Sequence, residues 1–137
     1  MMGMFSVFSV AGTGVDLHRT WLDAIANNIA NVNTIRSTSQ TAYQQQDLVA
    51  TPLGGGPDGI GAGVQVDHIA YGNPNGILAY EPDHPLADAQ GYVRRPDIDL
   101  AQQMSALIMA QRGYQANLAV VQRATDAYNA ALQLGKI

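Results

Sequence analysis

The sequence predicts a mainly α fold with a small β-rich middle lobe, in which the N- and C-terminal helices pair as a coiled-coil-like domain. Apolar residues recur every seven positions at both ends of the 137-residue chain, while turn residues and strand patterns are confined to its middle. Only 13 % of the residues are charged. We therefore expect residues 1–34 and 97–137 to form one discontinuous helical domain, and residues 35–96 to form a β-hairpin and loop lobe outside it.

The first helix is predicted over residues 4–34, where two sets of apolar positions repeat with heptad spacing. Four of the seven residues at 27–33 are asparagine, although Asn has poor helix propensity. We expect Asn33 to cap or fray the helix end. Asn27 and Asn31 fit a solvated face and a hydrogen-bonding ridge against a neighbouring helix equally well. The two heptad sets are Phe8, Val15, Leu22 and Ile29, and Ala11, His18, Ile25 and Val32, with Gly12 and Gly14 weakening the pattern at its start.

The middle of the chain predicts short strands. Val64–Tyr71 alternates like a half-buried strand, residues 72–76 supply turn chemistry, and Ile77–Tyr80 can return as its hairpin partner. A further strand is expected within residues 42–49, and residues 54–63 form a glycine-rich loop. Since a lone hairpin is marginally stable in water, the lobe must lean on a helix or on a neighbour.

The second helix is predicted over residues 97–134, which gives a length of about 57 Å at 1.5 Å per residue. Pro96 suits its first turn, and Asp97 and Asp99 suit the positive end of its dipole. Gly135 suits its C-terminal end. A helix of this length must project from a small domain or be surrounded. Its heptad sets are Leu100, Leu107, Tyr114, Val121 and Tyr128, and Met104, Gln111, Leu118, Thr125 and Leu132.

The distribution of charge favours a covered helix pair. Residues 100–134 contain three charged side chains, Arg112, Arg123 and Asp126, and residues 24–35 contain none. A solvated coiled coil carries Glu and Lys at its outer positions, whereas Ala, Gln, Asn and Ser occupy them here. We infer that copies of the chain or sister proteins cover both helices on several sides.

We predict no catalytic, cofactor or metal site. His18, His68 and His84 lie in separate segments, without the spacing of a metal-binding pair. Asp83 beside His84 would suit a metal or acid–base cluster, but the flanking prolines favour a polar loop. Residues 59–63 are faintly similar to a phosphate-binding loop, but they do not lie between a strand and a helix. An enzyme is therefore the least favoured function.

Composition also limits the partners. The net charge is −4 and the seven basic residues are scattered, which argues against nucleic acid as a partner. The chain has no cysteine, so disulfides and thiolate metal ligands are excluded. No stretch reaches the roughly 18 apolar residues of a membrane span, so we do not expect an integral membrane protein. The N-terminus lacks the charged start of a cleaved signal peptide, so any export is expected to use another route.

Three motifs resemble one family. Residues 26–34 (ANNIANVNT) resemble the Asn-rich signature of the flagellar axial proteins, which include rod and hook proteins. Residues 80–93 (YEPDHPLADAQGYV) with 96–100 (PDIDL), and residues 110–117 (AQRGYQAN), are similar to segments of the proximal rod proteins in that family. The similarity extends over residues 4–136. The departures are Gln102 and Gln103 in place of a frequent acidic pair, Asp97 in place of a frequent Asn, and Gly113 in place of a frequent Ala.

The resemblance implies a structural, non-enzymatic subunit of the proximal rod of the bacterial flagellar basal body. The helix pair would form the inner, axial layer of a tube, with the lobe outside it. Subunits would contact copies of themselves and other rod proteins in a self-assembling helical drive shaft for motility. The resemblance also implies export by the flagellar type III apparatus.

The alternative that the residues leave open is a coiled-coil adaptor or secretion-system component that binds a single partner. In either case the residues expected to make contacts between helices or between subunits lie on the two helices. They are Leu22, Ile25, Asn27, Asn28, Ile29, Asn31, Val32, Leu100, Met104, Leu107, Tyr114, Asn117, Leu118, Val121 and Leu132.

Overall fold

The computed structural model describes residues 2–55 and 61–136, which contain two long helices and two small antiparallel sheets between them. The predicted mainly α fold with a small β-rich middle is therefore confirmed. In chain order the elements are α1 (Met2–Ala30), β1 (Gln46–Pro52), β2 (Val64–Tyr71), β3 (Ile77–Tyr80), β4 (Tyr92–Arg95) and α2 (Leu100–Leu134).

Helix α1 ends at Ala30, four residues before the predicted end. The cause is the asparagine cluster. The Asn31 side-chain amide donates to the Asn27 carbonyl at 2.9 Å, and the next backbone bond, from Val32 N–H to the Ile29 carbonyl, has the shorter 3₁₀ spacing. Asn side chains that bond to nearby backbone groups compete with the helix in this way. The side-chain cap expected at Asn33 is therefore made by Asn31.

Helix α2 contains 35 residues, which corresponds to a length of about 52 Å. It begins three residues after the predicted start because Asp99 is its N-cap. The Asp99 carboxylate accepts hydrogen bonds from the N–H groups of Ala101 and Gln102 at 2.9 and 3.3 Å. Pro96 is buried ahead of the helix and does not lie in its first turn. Gly135 closes the other end, as expected, with its N–H on the Ala131 carbonyl at 3.0 Å.

The four strands form two separate two-stranded sheets, β1 with β2 and β3 with β4. The predicted pairing of Val64–Tyr71 with Ile77–Tyr80 is therefore wrong. A hairpin needs the turn residues free, but Gly72 N–H donates to the Gln45 carbonyl, and Ala42 N–H donates to the Pro74 carbonyl, both at 2.8 Å. Residues 72 and 74 thus extend the β1–β2 pairing, and although a turn follows at Asn73–Gly76, the strand after it, β3, pairs with β4.

The strand expected within residues 42–49 is the observed β1, displaced towards the C-terminus. In its register Gln46 lies opposite Tyr71 and Pro52 opposite Val64, with an irregularity between Val49 and Ala50. The glycine-rich run predicted at 54–63 lies in the connection from β1 to β2. Its residues 56–60, and with them part of the run considered as a phosphate loop, lie outside the described residues.

Two sets of polar contacts attach the sheets to the helices. The Thr13 hydroxyl of α1 accepts a hydrogen bond from the N–H of Val64 at 3.1 Å, where β2 begins. Arg36, after α1, exchanges two backbone hydrogen bonds of 2.9 Å with Arg94 of β4. The Arg94 guanidinium donates to the carbonyls of Thr38 and Asn75 at 2.9 and 2.6 Å. The lobe therefore rests against α1 and the segment that follows it.

The buried apolar residues are mostly small. Alanine provides four of them, which lets neighbouring backbones approach closely but buries little apolar surface per residue. Many larger apolar side chains remain exposed on both helices and on the lobe. In the part of the chain that the structure describes, neither helix is long and apolar enough to span a bilayer. Among residues 2–55 and 61–136, the buried apolar residues besides Pro96 are Ala11, Ala24, Ile25, Ala42, Val93 and Ala110.

Candidate assembly interface

Helix α2 lies antiparallel against α1. Three side-chain pairs show the direction along the seam, because the residue number rises on α2 as it falls on α1. Asn28 bonds to Gln103, His18 lies 3.1 Å from the Asn117 amide, and the rings of Phe5 and Tyr128 are 6.3 Å apart. The helix pair is better buried at the end where α1 stops and α2 begins, near Asn28 and Gln103.

Asn28 is the polar centre of that end and is only 1 % exposed. Its amide N–H groups donate to the Gln46 carbonyl and to the Gln103 side-chain oxygen, both at 2.9 Å. Its amide oxygen accepts from the Gln46 N–H at 2.8 Å and from the Tyr43 hydroxyl at 3.2 Å. Burial of this kind is stable only when the polar groups are paired. One side chain thus joins α1 to α2, to β1 and to the segment before β1.

The Tyr43 hydroxyl keeps its proton in this network. Burial, and to a smaller extent the nearby Tyr71 hydroxyl, raise the pKa of Tyr43 above its ordinary value. The phenol therefore remains a hydrogen-bond donor to Asn28 throughout the neutral range.

Nearer the middle of the seam, each helix has a glycine that receives a polar side chain of the other. The His18 ring of α1 lies over Gly113 of α2, where a β-carbon would overlap it. The Asn117 side chain of α2 lies over Gly14 of α1, and a β-carbon there would be 2.8 Å from the Asn117 amide nitrogen. His18 Nδ1 is also 2.8 Å from the Gly14 carbonyl, which fixes the ring.

The predicted contact residues divide into three groups by burial. Ile25 and Asn28 are buried, and a further set is half-buried. Asn27 and four α2 residues are exposed, so the second apolar set of α2 does not fill the seam. The half-buried set is Leu22, Ile29, Asn31, Val32, Leu107, Tyr114, Asn117 and Val121, and the exposed α2 residues are Leu100, Met104, Leu118 and Leu132.

The seam of α2 uses the positions one residue before that second set. Gln103 and Ala110 are the buried residues of α2, and Asn117 follows them with the same heptad spacing. Sequence reasoning missed Gln103 and the role of Gly113 because it sought large apolar residues. The glycines themselves were the available signal, since Gly in a helix interior often marks a close approach.

The outward faces of both helices are rich in exposed apolar side chains and poor in charge. Met104, Ile108 and Met109 on α2 are 50 to 59 % exposed, and Phe5 on α1 is 59 % exposed. Residues 100–134 carry three charges. Patches of this kind on a small protein mark surfaces that a partner covers.

Two adjoining shallow depressions lie along one side of the helix pair, between the N-terminal half of α1 and the C-terminal half of α2. Their volumes are about 390 and 480 Å³, and Val7 and Val120 line both. Arg123 is the charged residue among those that line them. We call this feature the flank groove. It is lined by Gly3, Met4, Ser6, Val7, Val10, Ala11, Gly61, Asn117, Val120, Arg123, Ala124 and Ala127.

The loop with His84 has a structural hydrogen bond. The Leu86 N–H donates to His84 Nδ1 at 3.0 Å, so that nitrogen is already used inside the loop. Among residues 2–55 and 61–136, no three His, Cys, Asp or Glu side chains are grouped closely enough to hold a metal ion.

Asp88 orders the neighbouring turn between β3 and β4. Its carboxylate accepts from the N–H groups of Tyr92 and Gln90 at 2.9 and 3.0 Å, and from the Thr38 hydroxyl at 3.1 Å. The hydrogen bond from Tyr92 is the main reason why the pKa of Asp88 lies below its ordinary value. The loop after β3 is thereby tied to the segment after α1.

Comparison with known proteins assigns these features to one family. Residues 8–36 match the family described as "Flagella basal body rod protein", and residues 89–134 match "Flagellar basal body rod FlgEFG protein C-terminal". The flagellar basal-body rod protein FlgC of Borreliella burgdorferi is 34 % identical over 97 % of this chain and 98 % of its own length.

Proteins of the same name in two other bacteria also align over nearly their full length. That of Escherichia coli O157:H7 is 30 % identical over 98 % of this chain and 100 % of its own length. That of Bacillus subtilis is 25 % identical over the same shares. The full-length alignment, together with the matches to both helical ends, means that this chain belongs to the family of the flagellar basal-body rod protein FlgC.

Proposed function

We propose that this chain is a structural subunit of the proximal rod of the bacterial flagellar basal body. It assembles with copies of itself and with other rod proteins into the helical shaft that transmits rotation for motility. The observation that carries the proposal is the helix pair itself. Two helices of 29 and 35 residues expose apolar side chains along their length and carry few charges, so they need neighbours on several sides.

The two parts of the chain take different roles in this proposal. Residues 1–34 and 97–137 form the coiled-coil-like axial domain, and residues 35–96 form the outer lobe. The antiparallel seam supports the first role, because its small residues let α1 and α2 pack closely and leave larger apolar side chains on the outside of the pair. The attachment of both sheets to α1 and to the segment after it supports the second.

Assembly follows from contacts between unlike surfaces of successive copies, since such contacts generate a helix when the rotation does not close. The exposed residues Leu100, Met104, Leu118 and Leu132 supply apolar area for them. Full burial of one such side chain contributes roughly 1.5–3 kcal/mol. Asn27, which is exposed on α1, adds an uncharged hydrogen-bonding group.

We also propose that the chain reaches the basal body through the flagellar type III export apparatus, without cleavage of a signal peptide. The resemblance to the rod proteins supports this route. Mass spectrometry of the chain recovered from basal bodies would test it, since an intact N-terminus is expected. A trimmed N-terminus would contradict it.

Genetic complementation tests the proposed function. Deletion of the gene should abolish motility and leave cells without filaments, and the intact chain should restore both. Ile29→Asp and Leu118→Asp should fail to restore them, because each places a charge on a helix of the axial domain. Gln90→Asp, which adds the same charge in an exposed loop of the lobe, is the matched control and should restore motility. Motile cells after the deletion would contradict the proposal.

A further inference from the structure

An exposed apolar ridge runs along the first turns of α2. Leu100, Met104 and Ile108 are four residues apart and are 45, 50 and 51 % exposed. Residues at this spacing lie above one another on a helix surface. Their long side chains project from a helix whose seam residues, Gln103 and Ala110, face elsewhere. We call these three residues the α2 ridge.

The flank groove has the opposite shape. Several of the residues that line it are small, including Ala11, Ala124 and Ala127, so the space between the helices is open. Apolar groups from Val7 and Val120 line both of its parts. A row of Leu, Met and Ile side chains fits such a depression, because it would fill the space and remove apolar surface from water.

The ridge and the flank groove cannot meet within one chain. Met104 and Val120 are sixteen residues apart on α2, which corresponds to about 24 Å along the axis and about 160° around it. The two surfaces therefore lie on opposite sides of α2 and near opposite ends. Contact between them requires a second molecule, and because the two surfaces are different, each added copy leaves a ridge or a groove available for the next.

Charge favours one register for this contact. If two copies lie parallel with Met104 of one opposite Val120 of the other, the offset of sixteen residues places Leu100, where α2 begins, opposite Ala116. Asp97 precedes that start and therefore lies towards Arg112 of the neighbour, about one turn before Ala116. Both Asp97 and Arg112 are exposed. The charge among the residues that line the groove is also positive, from Arg123. The acidic start of the ridge thus meets a basic stretch of its neighbour.

We propose that the occupant of the flank groove is the α2 ridge of a second copy of this chain, with the two α2 helices parallel and offset by about four to five turns. The inference deepens the proposed function, on which it rests, by naming the two surfaces through which successive copies join.

Cysteine cross-linking in assembled basal bodies tests the contact, because the chain has no cysteine of its own. The double variant Met104→Cys/Val120→Cys should give a ladder of disulfide-linked oligomers on mild oxidation, whereas each single variant should not. A disulfide within one chain is impossible, because the Cα atoms would need to lie within about 7 Å. The control Met109→Cys/Val120→Cys, which uses an exposed residue on another side of α2, should give no ladder.

Two results would overturn the inference. One is a double variant that enters basal bodies, supports motility under reducing conditions and yet does not cross-link. The other is a double variant that forms dimers without a ladder, which would indicate a symmetric contact. The pair Ile108→Cys/Ala124→Cys, one turn further along both surfaces, repeats the test if the first pair prevents incorporation. Failure of the unmodified chain to appear in basal bodies would instead contradict the proposed function.

Charge reversal tests the register independently. Asp97→Lys, added to the cross-linking variant, should lower the cross-linked fraction about fivefold, since an exposed ion pair contributes little beyond this. Arg112→Glu should have a similar effect, and the combination should restore cross-linking. An equal loss of cross-linked product in the single and the combined charge reversals would contradict the proposed register.

Discussion

The His18 ring of α1 occupies the space in which residue 113 of α2 would carry its β-carbon. This contact explains why glycine stands at 113, because a β-carbon there would overlap the ring. Asn117 lies over Gly14 in the reciprocal arrangement, and the Asn117 amide is 3.1 Å from His18 Nδ1. The two helices are thus held in one register by two polar side chains, each of which occupies the space beside a glycine of the opposite helix.

Substitution of the seam glycine should weaken the helix pair. We expect Gly113→Ala to lower the free energy of unfolding by roughly 1–3 kcal/mol, because the new methyl group overlaps the fixed His18 ring. Urea denaturation of the monomer measures this. The control is Gly12→Ala in α1, where nothing lies within 4 Å, and where the better helix propensity should stabilise by up to about 1 kcal/mol. Equal effects of the two substitutions would show that His18 does not limit residue 113.

Removal of the Asn28 amide should be the most damaging change in the polar network. Asn28→Ala leaves the Gln46 N–H and the Gln103 oxygen without their partner, and each buried unsatisfied group costs about 1–3 kcal/mol. Asn27→Ala, one residue earlier and exposed, is the control and should change the unfolding free energy by less than about 0.5 kcal/mol. Urea unfolding measures the free energy of unfolding of both variants. A loss in Asn28→Ala no larger than that in Asn27→Ala would contradict the prediction.

Acid should loosen the turn between β3 and β4. Because the folded pKa of Asp88 is below its ordinary value of 3.8, its contribution to stability is present above that value and is lost as the pH falls through the lowered folded pKa. Amide exchange at Gln90 and Tyr92 should therefore accelerate below about pH 4, relative to its intrinsic rate. Asp88→Asn should remove this dependence, and persistence of the same dependence in that variant would point to another group.

Two leucines of α2 should separate folding from assembly. Leu107→Ser affects a half-buried residue and should lower the unfolding free energy of the monomer by more than about 1 kcal/mol. Leu118→Ser affects a residue that is 41 % exposed and should leave that free energy within about 0.5 kcal/mol, yet reduce incorporation into basal bodies. A large loss of monomer stability in Leu118→Ser would place this residue inside the folded monomer instead.

The sequence alone predicted the fold at the level of elements. Heptad spacing identified α1 and α2, alternation identified β2, and the turn residues at 72–76 identified β3 after them, both strands with their bounds. The end of α1 and the start of α2 were displaced because Asn31 and Asp99 bond to nearby backbone groups, and such local competition overrides periodicity. The predicted pairing of β2 with β3 was wrong. Residues 42–45 bond to the segment after β2, and such contacts between distant parts of the chain leave no local pattern in the sequence.

What the sequence determined by itself is the family and the need for partners, since both are carried by local motifs and by the scarcity of charge along the helices. Only the tertiary structure decided which α2 residues face α1. Large apolar residues such as Met104 and Leu118 fit the periodicity, but the seam is built from Gln103, Ala110, Gly113 and Asn117. The reason is geometric: two helices approach closely where side chains are small or mutually hydrogen-bonded, which leaves the larger apolar side chains on the outside of the pair.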